Sequence, residues 1–251
     1  MEQVGPELRQ ETLRARLERG APLSLGAAAR EFGVSTDTIR RDLKALEDRG
    51  LARCIRGGAM PVLRPARPAM VRMAQAGAAA ERLAAAALAL IEDGMAIALD
   101  GGTTVLALAQ RLPPLPNALI VTPAPGVALA TIAAGIPTHL IGGRLSGLGA
   151  IAVGHGTVAG FESIAVDLAI LGACGMEAAF GLSADDPDEA DVKRAMAASS
   201  RRTVVLTGQE KLGRRARHRV AACGGLDVLV TDADRQDTEP FAAEGLEIVH
   251  A

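Results

Sequence analysis

The stretch "AAREFGVSTDTIRRDLKALEDRGLARCIRGGA", residues 28–59, decides how the front of this chain folds. Within it Ile39, Leu43 and Leu46 recur at spacings of four and three, which makes one apolar stripe on a helix. Ser35 stands where a side-chain oxygen can cap the first N–H groups, and Asp37 in the first turn suits the helix dipole. Gly50 ends the helix. Just upstream, "LSLGAAAREFG" forms a second helical segment with Ser24 as N-cap and Gly33 as stop. Leu8, Leu13 and Leu17 give an earlier helix over roughly 6–19, stopped by Gly20. Ala29, Gly33 and Ile39 then fall into place together. A close helix crossing needs a small residue, the tight turn needs a glycine able to take positive φ, and the second helix needs an apolar residue to close the core. These are the parts of a helix-turn-helix.

Beyond the last helix, Leu51, Arg53 and Ile55 alternate before Gly57-Gly58, the pattern of a short β-ribbon with a tight turn, or wing. Arg53 and Arg56 on it either reach phosphates beside a groove or are ordinary exposed arginines. The charge balance favours a polyanion. Residues 1–80 carry 14 Lys/Arg against 9 Asp/Glu, whereas residues 81–251 carry 13 against 20. The chain has no Trp and no Tyr, so stacking bases on aromatic platforms is not the expected mode.

The rest of the composition narrows the class. Half the 251 residues are apolar, and the cores must be built from Ala, Leu, Val and Ile. The start is charged throughout, so no secretory leader is expected. The longest apolar run, residues 83–91, is far short of the roughly 20 residues that span a bilayer. Cys54, Cys174 and Cys223 are odd in number and far apart, which fits a reducing cytoplasm and argues against a disulfide framework or a zinc site. No metal and no cofactor are expected. The four histidines show neither ligand nor triad spacing.

"PVLRPARPAM" (61–70) holds three prolines and reads as a semi-extended linker. Domains are therefore expected at 1–60 and 76–251, with a linker over 61–75. After a helix at 81–94, apolar strands are expected at 95–99, 118–122, 138–142, 166–171, 203–207, 228–232 and 246–249. Helices are expected near 104–111, 126–134, 156–163, 188–200, 215–222 and 237–244. Such alternation means a mainly parallel sheet covered by helices, with ligands bound beyond the carboxyl ends of the strands.

The first loop of that kind is "DGGTT" (100–104). Gly101 and Gly102 let backbone N–H groups approach an anion, the following helix adds a partial positive charge, and Thr103 and Thr104 add hydroxyls. The stretch lacks the Lys of a Walker loop and the GxGxxG of a dinucleotide turn. A phosphate cradle and a plain capped turn both remain open from composition. "GGRLSGLG" (142–149) and "GACGMEAAFGLS" (172–183) follow later strands. Lys193 and Lys211 are two of only three lysines among 27 basic residues, and either could reach a phosphate or simply face water.

In "VSTDTIRRDL…LEDRGL…RGGA" the chain resembles the winged helix-turn-helix of DeoR-type bacterial regulators. The resemblance continues through "EDGMAIALDGGTT", "LIGGRL", "LAILGACGM…FGLS", "EADVKRAM" and "EKLGRRA". It implies a fold of winged helix-turn-helix followed by a mainly parallel α/β sensor domain resembling ribose-5-phosphate isomerase. It implies double-stranded operator DNA as partner, with Ser35, Thr36, Thr38, Arg40 and Arg41 on the helix that enters the major groove and Lys44 toward a phosphate or water. Asp42 is then an orienting partner for an arginine, or solvated. It further implies a phosphorylated sugar effector that weakens operator binding, held at Asp100, Gly101, Gly102, Thr103, Thr104, Gly143, Arg144, Gly172, Gly175, Lys193 and Lys211. A homodimer or homotetramer is expected, because paired half-sites need two wings. Pro123, Cys174 and Gly208-Gln209-Glu210 depart from the family pattern near the sugar end, so the phosphate reading is firmer than any particular sugar. The competing reading is a sugar-phosphate isomerase with an accessory helical domain, for which Asp100 and Glu177 are the loop carboxylates available as base.

Overall fold

A computed structural model describes residues 5–18, 22–61, 68–73 and 77–251. The chain divides into two compact units, Met1–Pro65 with Gly213–Ala216, and Ala66–Leu212 with Arg217–Ala251. The linker expected over 61–75 lies largely outside the described residues, as does the Gly20 stop.

The first unit begins with helix α1 (Pro6–Glu18), a two-residue strand β1 (Leu23–Ser24), α2 (Leu25–Phe32) and α3 (Thr36–Asp48). A hairpin of β2 (Ala52–Ile55) and β3 (Gly58–Pro61) follows. Ser24 caps α2 by accepting from the Ala27 amide, and Ser35 caps α3 by accepting from the Thr38 amide at 3.1 Å. Gly33 between them sits at φ +64°, the left-handed conformation the turn requires. Leu13, Leu17, Ala29, Phe32, Ile39, Leu43 and Leu46 bury together with Ala52 and Ala59 of the hairpin. Gly58 is the tightest position. A Cβ there would lie 1.8 Å from the Leu23 carbonyl oxygen, because β3 pairs with β1 as well as β2.

Asp42 on α3 is buried and accepts from Arg9 Nε at 2.6 Å and Gln10 Nε2 at 2.8 Å. The orienting partner expected for an arginine is thus an anchor between α3 and α1, facing the core and not the groove side.

The second unit opens with α4 (Ala69–Met73) and α5 (Ala78–Leu88). Then come β4 (Ala96–Leu99), α6 (Thr103–Arg111), β5 (Leu119–Thr122), α7 (Pro125–Ala133) and β6 (Thr138–Leu140). A short hairpin, β7 (Arg144–Leu145) and β8 (Ala152–Val153), leads to α8 (His155–Glu162) and β9 (Val166–Gly172). Two further short strands, β10 (Gly175–Glu177) and β11 (Gly181–Ala184), precede α9 (Pro187–Ala198) and β12 (Ser200–Leu206). The chain closes with β13 (His218–Ala221), β14 (Val228–Thr231), α10 (Arg235–Ala243) and β15 (Glu247–His250).

Seven strands form one sheet in the order β15-β14-β12-β9-β4-β5-β6, and every pairing is parallel. Their middles, such as Ile97-Ala98-Leu99 and Val204-Val205-Leu206, are fully buried, as expected for a sheet with both faces covered. From β4 the chain winds outward to β5 and β6, then returns to lay β9 on β4's other side. The order reverses between β4 and β9, and a crevice opens at such a switch point.

Two departures stand out. The helix expected near 215–222 is strand β13, which pairs antiparallel with β11. Its Arg and Ala content suits a helix, but pairing with β11 buries Val220 and overrides that preference. The small sheet β10-β11-β13 is therefore an addition to the expected architecture.

Candidate functional site

On the first unit, α3 exposes Thr36, Arg40 and Arg41. Thr38 is half-turned inward, its hydroxyl 2.9 Å from that of Ser35, so both serve the helix start. Arg40 pairs with Asp37, one turn earlier. Lys44 lies 2.9 Å from Glu47 and 3.3 Å from Asp48, and those hydrogen bonds hold its pKa above the ordinary lysine value. Exposed pairs like these are weak and screened by salt, so a phosphate can replace the carboxylate. Among the described residues Arg41, Arg53 and Arg56 have neither an ion pair nor a side-chain hydrogen bond, and all three are exposed. Arg56 stands at the hairpin tip beside Gly57, whose φ of +91° makes the two-residue turn.

On the second unit, a cleft opens at the carboxyl ends of β4, β9 and β12, at the switch point. Asp100 through Thr104, Gly172 to Cys174, Gly149, Glu189, Lys193, Lys211 and Arg72 line it. Asp100 directly follows β4 and is fully buried. Its Oδ2 accepts from Lys193 Nζ and from the Gly172 amide at 2.9 Å, while its Oδ1 is buried with no hydrogen-bond partner among the described residues. Lys193 on α9 also donates to the Gly172 carbonyl at 3.0 Å. Burial works against the Lys193 charge, but Asp100 outweighs it and holds the ammonium above its ordinary pKa.

One turn before Lys193, Glu189 is buried and accepts from the Ser146 hydroxyl. Burial pushes its carboxyl above the usual range, against the opposing effects of the Ser146 hydrogen bond and the Lys193 charge. Lys211 is largely buried, with Glu210 3.9 Å away as its ion-pair partner among the described residues. Burial pushes Lys211 below the ordinary lysine value; Glu210 opposes this, and the charges of Arg72 and Lys193 reinforce it.

The turn into α6 completes the cleft. Gly102 precedes the helix at φ +95°, and as a glycine it supplies no side-chain cap to the first N–H groups. Gly101 is required by close packing, since a Cβ there would meet Ile151 Cγ2 at 2.3 Å and the Gly149 carbonyl at 3.0 Å. The loop between β7 and β8 thus rests directly on the β4–α6 turn.

Eight of the residues expected at an effector site therefore share one cleft: Asp100, Gly101, Gly102, Thr103, Thr104, Gly172, Lys193 and Lys211. Gly143, Arg144 and Gly175 do not line it. Arg144 is exposed on the β7–β8 hairpin and pairs with Asp188. Gly143 packs where a Cβ would strike Thr157 Oγ1 at 2.2 Å, and Gly175 is buried in β10, where its carbonyl accepts from Ser183. Glu177 also lies outside the lining. Arg72, Gly149, Ile151 and Glu189 are lining residues that the sequence reading did not single out. Among the described residues there is no group of acidic, His or Cys side chains that could hold a metal, and no helix long and apolar enough to cross a membrane.

Comparison with known proteins matches this division of the chain. A DeoR-like helix-turn-helix domain matches residues 9–62, and a DeoR C terminal sensor domain matches residues 77–233. The chain is 30% identical over 230 residues to the HTH-type transcriptional regulator GlpR of Haloferax volcanii, covering 90% of each. It is 31% identical over 204 residues to the glycerol-3-phosphate regulon repressor of Escherichia coli strain K12, covering 80% of this chain and 81% of that protein. A solved D-ribose-5-phosphate isomerase in complex with phospho-erythronic acid overlaps 53% of this chain and 52% of its own, at 19% identity and a TM-score of 0.40. The chain belongs to the DeoR family of transcriptional regulators, with a helix-turn-helix domain followed by a sensor domain.

Proposed function

We propose that this protein binds operator DNA through α3 and the β2–β3 wing and releases it when a phosphorylated sugar or related intermediate occupies the cleft of the second unit. The observation that carries the effector reading is the pairing of opposite chemistries in one cleft. Asp100 Oδ1 is a buried acceptor that awaits a donor, which a sugar hydroxyl supplies. A few residues on, the N-terminus of α6 offers N–H groups and a partial positive charge, with Thr103, Thr104, Lys211 and Arg72 around it. A ligand with hydroxyls at one end and a phosphate at the other satisfies both.

On the DNA side, Thr36 and the α3 N-terminus approach base edges, and Arg40 and Arg41 divide between guanine and phosphate. Arg53, Arg56 and Lys44 take phosphates. Two copies of the chain present paired wings to paired half-sites, as a homodimer or homotetramer. Binding, not turnover, is the proposed activity: the named relatives are regulators, and the Asp100 oxygen nearest Lys193 is committed to that ammonium and to the Gly172 amide.

The test is retardation of DNA from the chain's own upstream region. Wild-type protein should bind with strong salt dependence, and Arg41→Ala should weaken binding across sequences. A dye-based thermal shift against sugar phosphates reads the cleft; a ligand at 100 times its dissociation constant stabilises by about 2.7 kcal/mol. If a Thr103→Val, Thr104→Val double variant responds to the effector as wild type does, the β4–α6 turn is not the sensor.

A further inference from the structure

We propose that Cys174 is a covalent capture site in the sensor cleft: its sulfur adds reversibly to the carbonyl carbon of a short, open-chain aldose phosphate and holds it as a hemithioacetal. The inference rests on the sugar-phosphate reading of the cleft and adds to it the chemical class of the sugar end.

Cys174 stands in the turn between β9 and β10, just beyond the Gly172 amide that binds Asp100. It is a free, half-buried thiol, and its own amide donates to the Ser183 carbonyl at 3.2 Å. It lines the cleft together with Asp100, Lys193 and Lys211. Its sulfur lies close enough to both lysines that a thiolate there favours the ammonium of each. The other two cysteines are placed differently. Cys223 is buried, and burial pushes its thiol up to about 11. Cys54 is on β2 of the first unit, where burial and the Glu47 carboxylate hold its thiol above the ordinary value. A second observation points to a ligand beside Cys174. The Asp100 carboxylate in the same cleft is fully buried, and its Oδ1 has no hydrogen-bond partner among the described residues. Cys174 is also one of the positions at which this chain departs from the pattern of its family, so the chemistry belongs to this chain's own sequence.

Together these groups select an α-hydroxyaldehyde. The thiolate is the nucleophilic form of cysteine, and the carbonyl carbon is the electrophile that an open aldose offers. In the addition a C–S bond forms, the carbonyl π bond breaks, and its electron pair goes to the oxygen. The proton lost from the thiol ends on that oxygen. No group leaves, and nothing is oxidised or reduced. Lys193 is committed to Asp100 and to the Gly172 carbonyl. Burial holds Lys211 below the ordinary lysine value, so it gives up and regains a proton more readily, and it is the group that passes the proton across. The hydroxyl on the neighbouring carbon then finds the Asp100 Oδ1 acceptor. Lys211 also belongs to the phosphate end of the cleft, so the carbonyl and the phosphate it serves are only a few bonds apart. That means a short chain. A short chain whose terminal hydroxyl carries the phosphate cannot close into a sugar ring, so its aldehyde stays open to the thiol.

The experiment titrates the thermal shift of the full chain with glyceraldehyde 3-phosphate, with glycerol 3-phosphate, in which the carbonyl is reduced to an alcohol, and with ring-forming ribose 5-phosphate. Wild type, Cys174→Ser and Cys174→Ala are compared. Wild type should half-saturate at a lower concentration of the aldehyde than of the alcohol, and both variants should lose that preference. Glyceraldehyde 3-phosphate enriched in NMR-active carbon at the carbonyl should show a carbon bonded to both sulfur and oxygen in wild type and not in Cys174→Ser, a signature that a packing role cannot supply. If the variants fail to fold, loss of that resonance after iodoacetamide alkylation of Cys174, located by peptide mass, serves in their place. Equal midpoints for aldehyde and alcohol in wild type, or an adduct resonance that survives in Cys174→Ser or after alkylation, overturn the inference. So does a wild type that responds to ribose 5-phosphate and to neither of the short phosphates, which leaves the sugar-phosphate reading standing. A wild type silent to all three overturns that reading instead.

Discussion

Removing Asp100 is the sharpest perturbation the second unit offers. Its side chain is 1% exposed and that of its partner Lys193 is 7% exposed, so neither charge has water to fall back on. Asp100→Ala leaves the Lys193 ammonium with the Gly172 carbonyl at 3.0 Å and strips the Gly172 amide of its acceptor. Breaking a buried pair from one side costs about 3–5 kcal/mol, because a buried charge is left without compensation. For a unit of this size that is a fall of roughly 10 °C in melting temperature. Lys193→Met alone strands the carboxylate and should cost a similar amount. The double variant removes both charges, and buried pairs replaced by apolar groups are often near neutral. Its cost should therefore fall below that of either single, far short of their sum. Urea-dependent hydrogen exchange on peptides of β9 and β12 reads the sensor unit separately from the helix-turn-helix, which a bulk signal would mix. A loss below about 1 kcal/mol for Asp100→Ala, or additive costs in the double variant, would refute the claim that this pair is a buried, mutually dependent anchor.

Three further outcomes follow from named contacts. Glu189 has a folded pKa raised above its unfolded value, so its favourable contribution is full below the unfolded pKa and is lost as pH rises through the folded one. Glu189→Gln should therefore gain on wild type between pH 4.5 and 7, read as a widening gap in melting temperature; a constant gap would mean burial does not disfavour the charge. Gly58→Ala drives a Cβ onto the Leu23 carbonyl and should cost about 1–3 kcal/mol and weaken DNA binding, measured by hydrogen exchange across the wing. Asp42→Ala removes the carboxylate shared by Arg9 and Gln10 and should loosen α1 from α3 by about 3 kcal/mol, seen as lost amide protection in α1.

Local patterns carried most of the architecture. All seven strands of the large sheet lie where runs such as "MAIAL" and "TVVLT" place them, because strands buried on both faces are nearly continuous apolar runs between glycine and helix signals. Ser35, Gly33 and the Ile39–Leu43–Leu46 stripe were legible for the same reason: caps and turns are short-range chemistry. What escaped depends on contacts far apart in sequence. Strand β13 looks helical until β11 pairs with it. Arg72 gives no local sign of facing a cleft whose other cations lie more than a hundred residues on. Glu189 did leave a trace, since its spacing of four from Lys193 puts both on one helix face, but which face turns inward is decided by Ser146 and Asp100.

The central claim is that one cleft on the second unit reports a phosphorylated sugar to a DNA-binding helix on the first. The most direct measurement is anisotropy of labelled double-stranded DNA from the chain's own upstream region, bound by the intact protein and titrated with sugar phosphates alongside the matching free sugars. The account predicts that at least one sugar phosphate releases the DNA while its unphosphorylated counterpart does not. Release by the free sugar at the same concentration, or DNA binding indifferent to the whole panel, would contradict it.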